Sequence, residues 1–132
     1  MKQLPEKVAE FMLHAPQWYV ATMGEEPNTV PMTFKHITPE GTLVIADNFM
    51  ETTVKNILAN GKIAVAAHDA VTMEGYQIKG TAVYVQEGVH FEKMAAAVQE
   101  KSKGRVTCKG LVVMTPERII VTTPGPDNKK EL

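Results

Sequence analysis

Between residues 17 and 123 the chain passes through about seven short stretches rich in β-branched and aromatic residues, set close together and separated by turn signals. They are "QWYVATM", "TVPMTFKHI", "TLVIAD", "KIAVAAHD", "GYQIKGTAVYVQ", "KGLVVMT" and "RIIVTT". Strands spaced this closely favour an antiparallel sheet closing into a barrel over a parallel sheet. The fold class expected is therefore mainly β with added helices.

Two residues refine the strand pattern. Pro31 has no N–H to give to a ladder, so "TVPMTFKHI" belongs at an edge or a bulge. The turn "TPEG" at 38–41 then joins it to "TLVIAD" as a hairpin. In "GYQIKGTAVYVQ" Tyr76, Ile78, Gly80, Ala82 and Tyr84 share one face. Gly80 interrupts that row, the mark of a bulge or of close approach by a ligand.

Three segments carry helical spacing instead. Leu4, Val8, Phe11 and Met12 fall on one face of a helix over 5–14, with Pro5 in its first turn and Pro16 after its end. A second helix opens on Glu51, Thr52 and Thr53, turns Val54, Ile57 and Leu58 inward, and stops at Asn60-Gly61. The third, over 89–104, puts Phe91, Met94, Ala95 and Val98 inward. Residues 124–132 have the composition of a loop, and the 132 residues read as one domain.

Charge and composition exclude several classes of function. A formal net charge of -1 gives no electrostatic footprint for nucleic acid. No run of about 18 apolar residues is present, and the first residues lack the apolar core of a secretory signal, so a cytoplasmic protein with no membrane span is expected. The single cysteine, Cys108, excludes an internal disulfide and reads as a structural thiol. His14, His36, His68 and His90 show no ligand spacing, so no metal site is expected, and there is no P-loop, G-x-S-x-G or G-x-G-x-x-G.

The start of the second helix poses a choice. Its first N–H groups lack partners and its dipole is positive there, so Thr52 and Thr53 either cap the helix or stand at an anion site, with Lys55 and Lys35 as sources of charge. On the residues alone, capping is the simpler account.

The order of segments changes that balance. The hairpin, then a helix carrying "NIL" and "NGKIAV", then "IKGTA" and the closing "TTPGP" resemble the FMN-binding split β-barrel family, whose best-known type is pyridoxamine 5'-phosphate oxidase. The resemblance runs from residue 5 to about 125. It implies a homodimer with two FMN molecules at the interface, each phosphate near the start of the helix after the hairpin. The ring contacts it implies are Met32, Thr33, Phe34 and Lys35, with Ala46 and Asp47. The phosphate contacts are Thr52, Thr53 and Lys55. Lys79 and Gly80 match a segment that approaches the flavin or the dimer seam.

The chain also departs from that pattern. Thr52 stands where the family often has a lysine or arginine for the phosphate. The arginine and histidine that true pyridoxamine phosphate oxidases carry near the C-terminus are missing from "GPDNKKEL". The resemblance therefore implies an FMN-dependent oxidoreductase with an unknown small-molecule or redox partner, not that oxidase, and no side chain serving as catalytic acid or base in the flavin half-reaction. A flavin carrier without catalysis, a split barrel using deazaflavin or haem, and a dimer with a decayed site are its rivals.

Overall fold

The structure, a computed structural model, describes residues 1–132. The elements run α1 (Glu6–His14), β1 (Trp18–Met23), β2 (Pro27–Met32), β3 (Lys35–Ile37), β4 (Leu43–Asp47), α2 (Thr52–Asn60), β5 (Lys62–His68), β6 (Gly75–Val85), α3 (Val89–Ser102) and β7 (Gly110–Val121). No helix is long and apolar enough to cross a membrane.

All seven strands belong to one antiparallel sheet in the order β2-β1-β5-β6-β7-β4-β3. Its two edge strands, β2 and β3, are neighbours in the chain. Laid flat, the sheet would hold them roughly 29 Å apart, since adjacent strands lie about 4.8 Å apart. Residues 33 and 34 alone connect them, and three Cα steps of 3.8 Å span at most about 11 Å. The sheet must therefore curl until its edges meet, which makes it a split β-barrel closed by a two-residue seam.

This seam revises the sequence reading of one strand over 29–37. Alternation continues through Thr33 and Phe34, but β2 pairs only with β1 and β3 only with β4, so the chain changes edge at that point. Pro31 lies on an edge strand, as its missing donor requires. The strands expected at 109–115 and 118–123 are instead one, β7, because Pro116 sits at a bulge within it: the β6 register shifts between Lys79 and Gly80. A side chain at Gly80 would overlap the backbone carbonyl of Thr115. The close approach expected at that glycine comes from β7.

A main core fills the barrel, with Trp18, Leu43, Ile45, Ile78, Met114 and Ile119 fully buried. α1 adds Val8 and Met12 to it, and Phe11 meets Tyr76 edge to face at 5.3 Å. A smaller core lies under α3, where Met94 and Val98 pack on Val44, Ala46, Leu111 and Cys108. The thiol of Cys108 is buried there and donates to the carbonyl of Gly110. α2 ends on Gly61 at φ +69, the left-handed cap expected at Asn60-Gly61.

Residues 124–132 are a loop only in part. The N–H groups of Lys129 and Leu132 donate to the carbonyls of Val121 and Ile119, at 2.8 and 2.9 Å, and Glu131 bridges to Ile120. Arg118 adds a two-pronged ion pair to Glu131, with both nitrogens at 2.9 Å. Beyond Met114, β7 has no β4 residue beside it, and the returning chain occupies that edge.

Candidate functional site

The helix after the hairpin is seated by a polar stripe. α2 buries Thr53, Asn56 and Ile57, whereas Leu58, expected inward, is 69% exposed. The reason lies in the β1–β2 hairpin beneath. Asn28 donates its amide to Thr53 Oγ1 at 3.0 Å, Asn56 donates to Thr22 Oγ1 at 3.0 Å, and Asn60 donates to the carbonyl of Met23 at 2.7 Å. Buried polar groups must be paired, so these contacts fix which face of α2 turns inward. Gly24 makes room for Asn56, whose side-chain oxygen would collide with any Cβ there.

The structure decides between the two readings of the helix start as far as capping is concerned. Glu51 occupies the N-cap position, and no side chain caps the helix. Thr53 directs its hydroxyl inward to Asn28, and Thr52 is exposed. The N–H groups of Thr52, Thr53 and Val54 take no partner among the cap, turn and loop hydrogen bonds. Three backbone donors thus lie open at the positive end of the dipole.

Residues 47–50 hold that end in place. Asp47, 2% exposed, receives the Met50 N–H on Oδ1 at 2.9 Å and the Tyr84 hydroxyl on Oδ2 at 2.5 Å. Lys109 stands 3.9 Å from Oδ1. Burial, then the hydrogen bond to Asp47, raises the Tyr84 pKa well above the ordinary phenol value. Beside Asp47, Asn48 Oδ1 is buried with no hydrogen-bond partner, an acceptor left open next to the turn into α2.

The seam brings the other expected residues to the same corner. Lys35 pairs with Ile45 in the ladder, and the Phe34 carbonyl accepts the Ala46 N–H at 3.0 Å. Met32, Thr33, Phe34 and Lys35 therefore run beside Ala46 and Asp47, and five residues further on α2 begins. Lys35 turns its ammonium to the carbonyl of Ala15 at 2.7 Å, at the end of α1, and over the Trp18 ring at 5.3 Å. Burial, followed by repulsion from Lys101, lowers its pKa. Lys55 is exposed on α2.

Lys79 and Gly80 do not join this corner within one protomer. Their ladder partners are Ala64 and Arg118, and Ile63 and Pro116. Three features of the corner escaped the sequence reading: the Asn28 and Asn56 anchors, the Tyr84–Asp47 bond, and Asn48. The spacing of Thr53, Asn56 and Asn60 on one helical face was the available signal for the first.

Comparison with known proteins agrees with the fold. The family model for pyridoxamine 5'-phosphate oxidase matches residues 4–125. An uncharacterized protein of Methanocaldococcus jannaschii is 39% identical over 116 residues, covering 85% of this chain and 76% of that one. HupZ of Group A Streptococcus superposes with a TM-score of 0.80 at 26% identity, over 95% of this chain and 98% of its own. An FMN-binding protein from Syntrophomonas wolfei has the same fold at 14% identity, with a TM-score of 0.75 over 87% of this chain and 82% of its own.

Proposed function

The chain belongs to the pyridoxamine 5'-phosphate oxidase family, and from that premise we propose that it is a cytoplasmic homodimeric flavoprotein that binds FMN and acts as an oxidoreductase on a small molecule. The observation that carries this reading is the uncapped first turn of α2, set directly after the strand pair at the barrel seam.

The residues present fit the cofactor. The N–H groups of Thr52, Thr53 and Val54 would hold its phosphate, with Lys55 supplying charge from the next turn. The backbone of residues 32–34 and of Ala46 would line the ring, and the unpaired Asn48 oxygen offers an acceptor for a ring or ribityl donor. Lys35 keeps a positive charge beside that corner, which would favour a reduced, anionic ring. Lys79 and Gly80 would meet the site from the second protomer. FMN, when bound, supplies hydride and single-electron transfer. The protein's part is to place it, pair its heteroatoms and keep water away.

Oxidation of pyridoxamine phosphate is not part of this proposal. The test is a titration of FMN and riboflavin into flavin-free protein, read by flavin fluorescence. Tight FMN with weak riboflavin supports the phosphate site, and binding of neither removes the flavin assignment.

A further inference from the structure

A second feature lies against the same seam. β3, part of β4 and one face of α3 enclose a cavity of about 390 Å3, within the range of small-molecule pockets. Its polar wall is Thr33, His36, His90, Lys93 and Lys101; Lys35 lines it with its ammonium turned away to the Ala15 carbonyl, and no carboxylate lines it. The whole chain carries 15 acidic against 14 basic side chains, so a lining with only basic charges is a local departure. Glu40 at the rim is engaged by His90, 3.1 Å away.

The α3 residues form one helical stripe, since 90, 93, 94, 97 and 101 recur at three- and four-residue intervals. Cations along one stripe repel, and Glu40 offsets this only at the His90–Lys93 end, so Lys101 has no ion-pair partner. An anion between them would relieve the repulsion. Its apolar lining is Phe34, Val44, Met94 and Ala97. Cations and hydrocarbon interleaved on one lining describe a ligand that is an anion on an apolar body.

We propose that this cavity is the substrate pocket and takes a small organic anion, its phosphate or carboxylate held by Lys93 and Lys101 and its apolar part against Phe34 and Met94. The word substrate rests on the flavin reading, because Thr33, Phe34 and Lys35 line this cavity and also belong to the expected ring contacts. The anion site stands without it.

Phenyl phosphate, benzoate and the neutral benzyl alcohol, titrated into flavin-free protein, test the pocket. Calorimetry reads the binding. The expected result is saturable binding of at least one anion, with benzyl alcohol about tenfold weaker or more. Lys93 and Lys101 are exposed, so a Lys93→Gln/Lys101→Gln variant keeps the fold and should weaken the anion about tenfold while leaving FMN affinity unchanged. The relative strength of phenyl phosphate and benzoate assigns the anionic group. No anion binding, or equal binding of benzyl alcohol, overturns the proposal. So does an equal loss of FMN in the double variant, which would make the lysines part of the cofactor's phosphate site. Anion binding without FMN binding keeps the pocket and removes the flavin reading; FMN binding without anion binding does the reverse.

Discussion

Tyr84 reaches Asp47 across an intervening strand. β7 lies between β6 and β4, and the residue of β7 paired with Asp47 is Gly110. The Tyr84 ring passes over that glycine, where any Cβ would overlap its hydroxyl and ring carbons, and ends on Asp47 Oδ2. One absent side chain thus lets a phenol from β6 fix the carboxylate that holds the turn into α2.

This contact is expected to show strong coupling. Tyr84→Phe leaves a buried carboxylate oxygen short of a donor, which costs about 1–3 kcal/mol. Combined with Asp47→Asn in a double-mutant cycle, the coupling should be about 1 kcal/mol or more by urea unfolding. Additive losses would mean that the two side chains merely lie near one another. Gly110→Ala, which displaces the ring, should be at least as destabilising as Tyr84→Phe.

The two threonines of α2 are expected to separate stability from binding. Thr53→Val removes the acceptor for Asn28 but keeps the backbone N–H, so it should cost about 1 kcal/mol of stability and leave flavin affinity almost unchanged. Thr52→Lys puts a cation at the exposed first helical position and should strengthen FMN about tenfold without helping riboflavin. A gain shared by both flavins would move the phosphate away from this helix.

Lys35→Met should lower FMN and riboflavin affinity by equal factors. Its ammonium is anchored at the Ala15 carbonyl rather than aimed at the start of α2, so its influence falls on the ring side. A loss confined to FMN, in parallel titrations, would assign it to the phosphate.

Alkaline pH should loosen the fold through Tyr76. Its side chain is 2% exposed, and burial followed by the bond to Glu74 pushes its pKa up to about 12. A phenol in the unfolded chain ionises near 10, so between about 10 and 12 the folded state keeps a proton that the unfolded state has lost. Stability is then lost as pH rises, by up to about 1.4 kcal/mol per unit from this group. Tyr76→Phe should flatten that part of the unfolding profile; an unchanged slope would place the sensitivity elsewhere.

The sequence showed the barrel more fully than the helix beneath which it closes. Strands and turns were legible because β-branched runs and Gly/Pro breaks are local signals, and Asn60-Gly61 gave the helix end for the same reason. The break at Thr33 and Phe34 was not, since it comes from pairing at opposite edges of the sheet. Apolar spacing points Leu58 inward, but Thr22 on β1 and Asn28 on β2 demand a polar face there, and that demand comes from elsewhere in the chain. The corner of residues 32–35 and 46–53 was reached through family likeness; no residue pattern alone displays that Phe34 and Ala46 share a hydrogen bond.

The two-residue seam has a thermodynamic consequence. Hydrogen-bond ladders staple every other neighbouring pair of strands, but the edges formed by β2 and β3 are joined by the chain alone, so this is where the barrel can breathe at least cost. A ligand held as proposed at the corner beside it would bridge both lips of that opening. By linkage, occupancy should slow amide exchange at Phe34 and along β2 more than in the ladders of β6 and β7, turning a static gap in the sheet into a sensor of whether the site is filled.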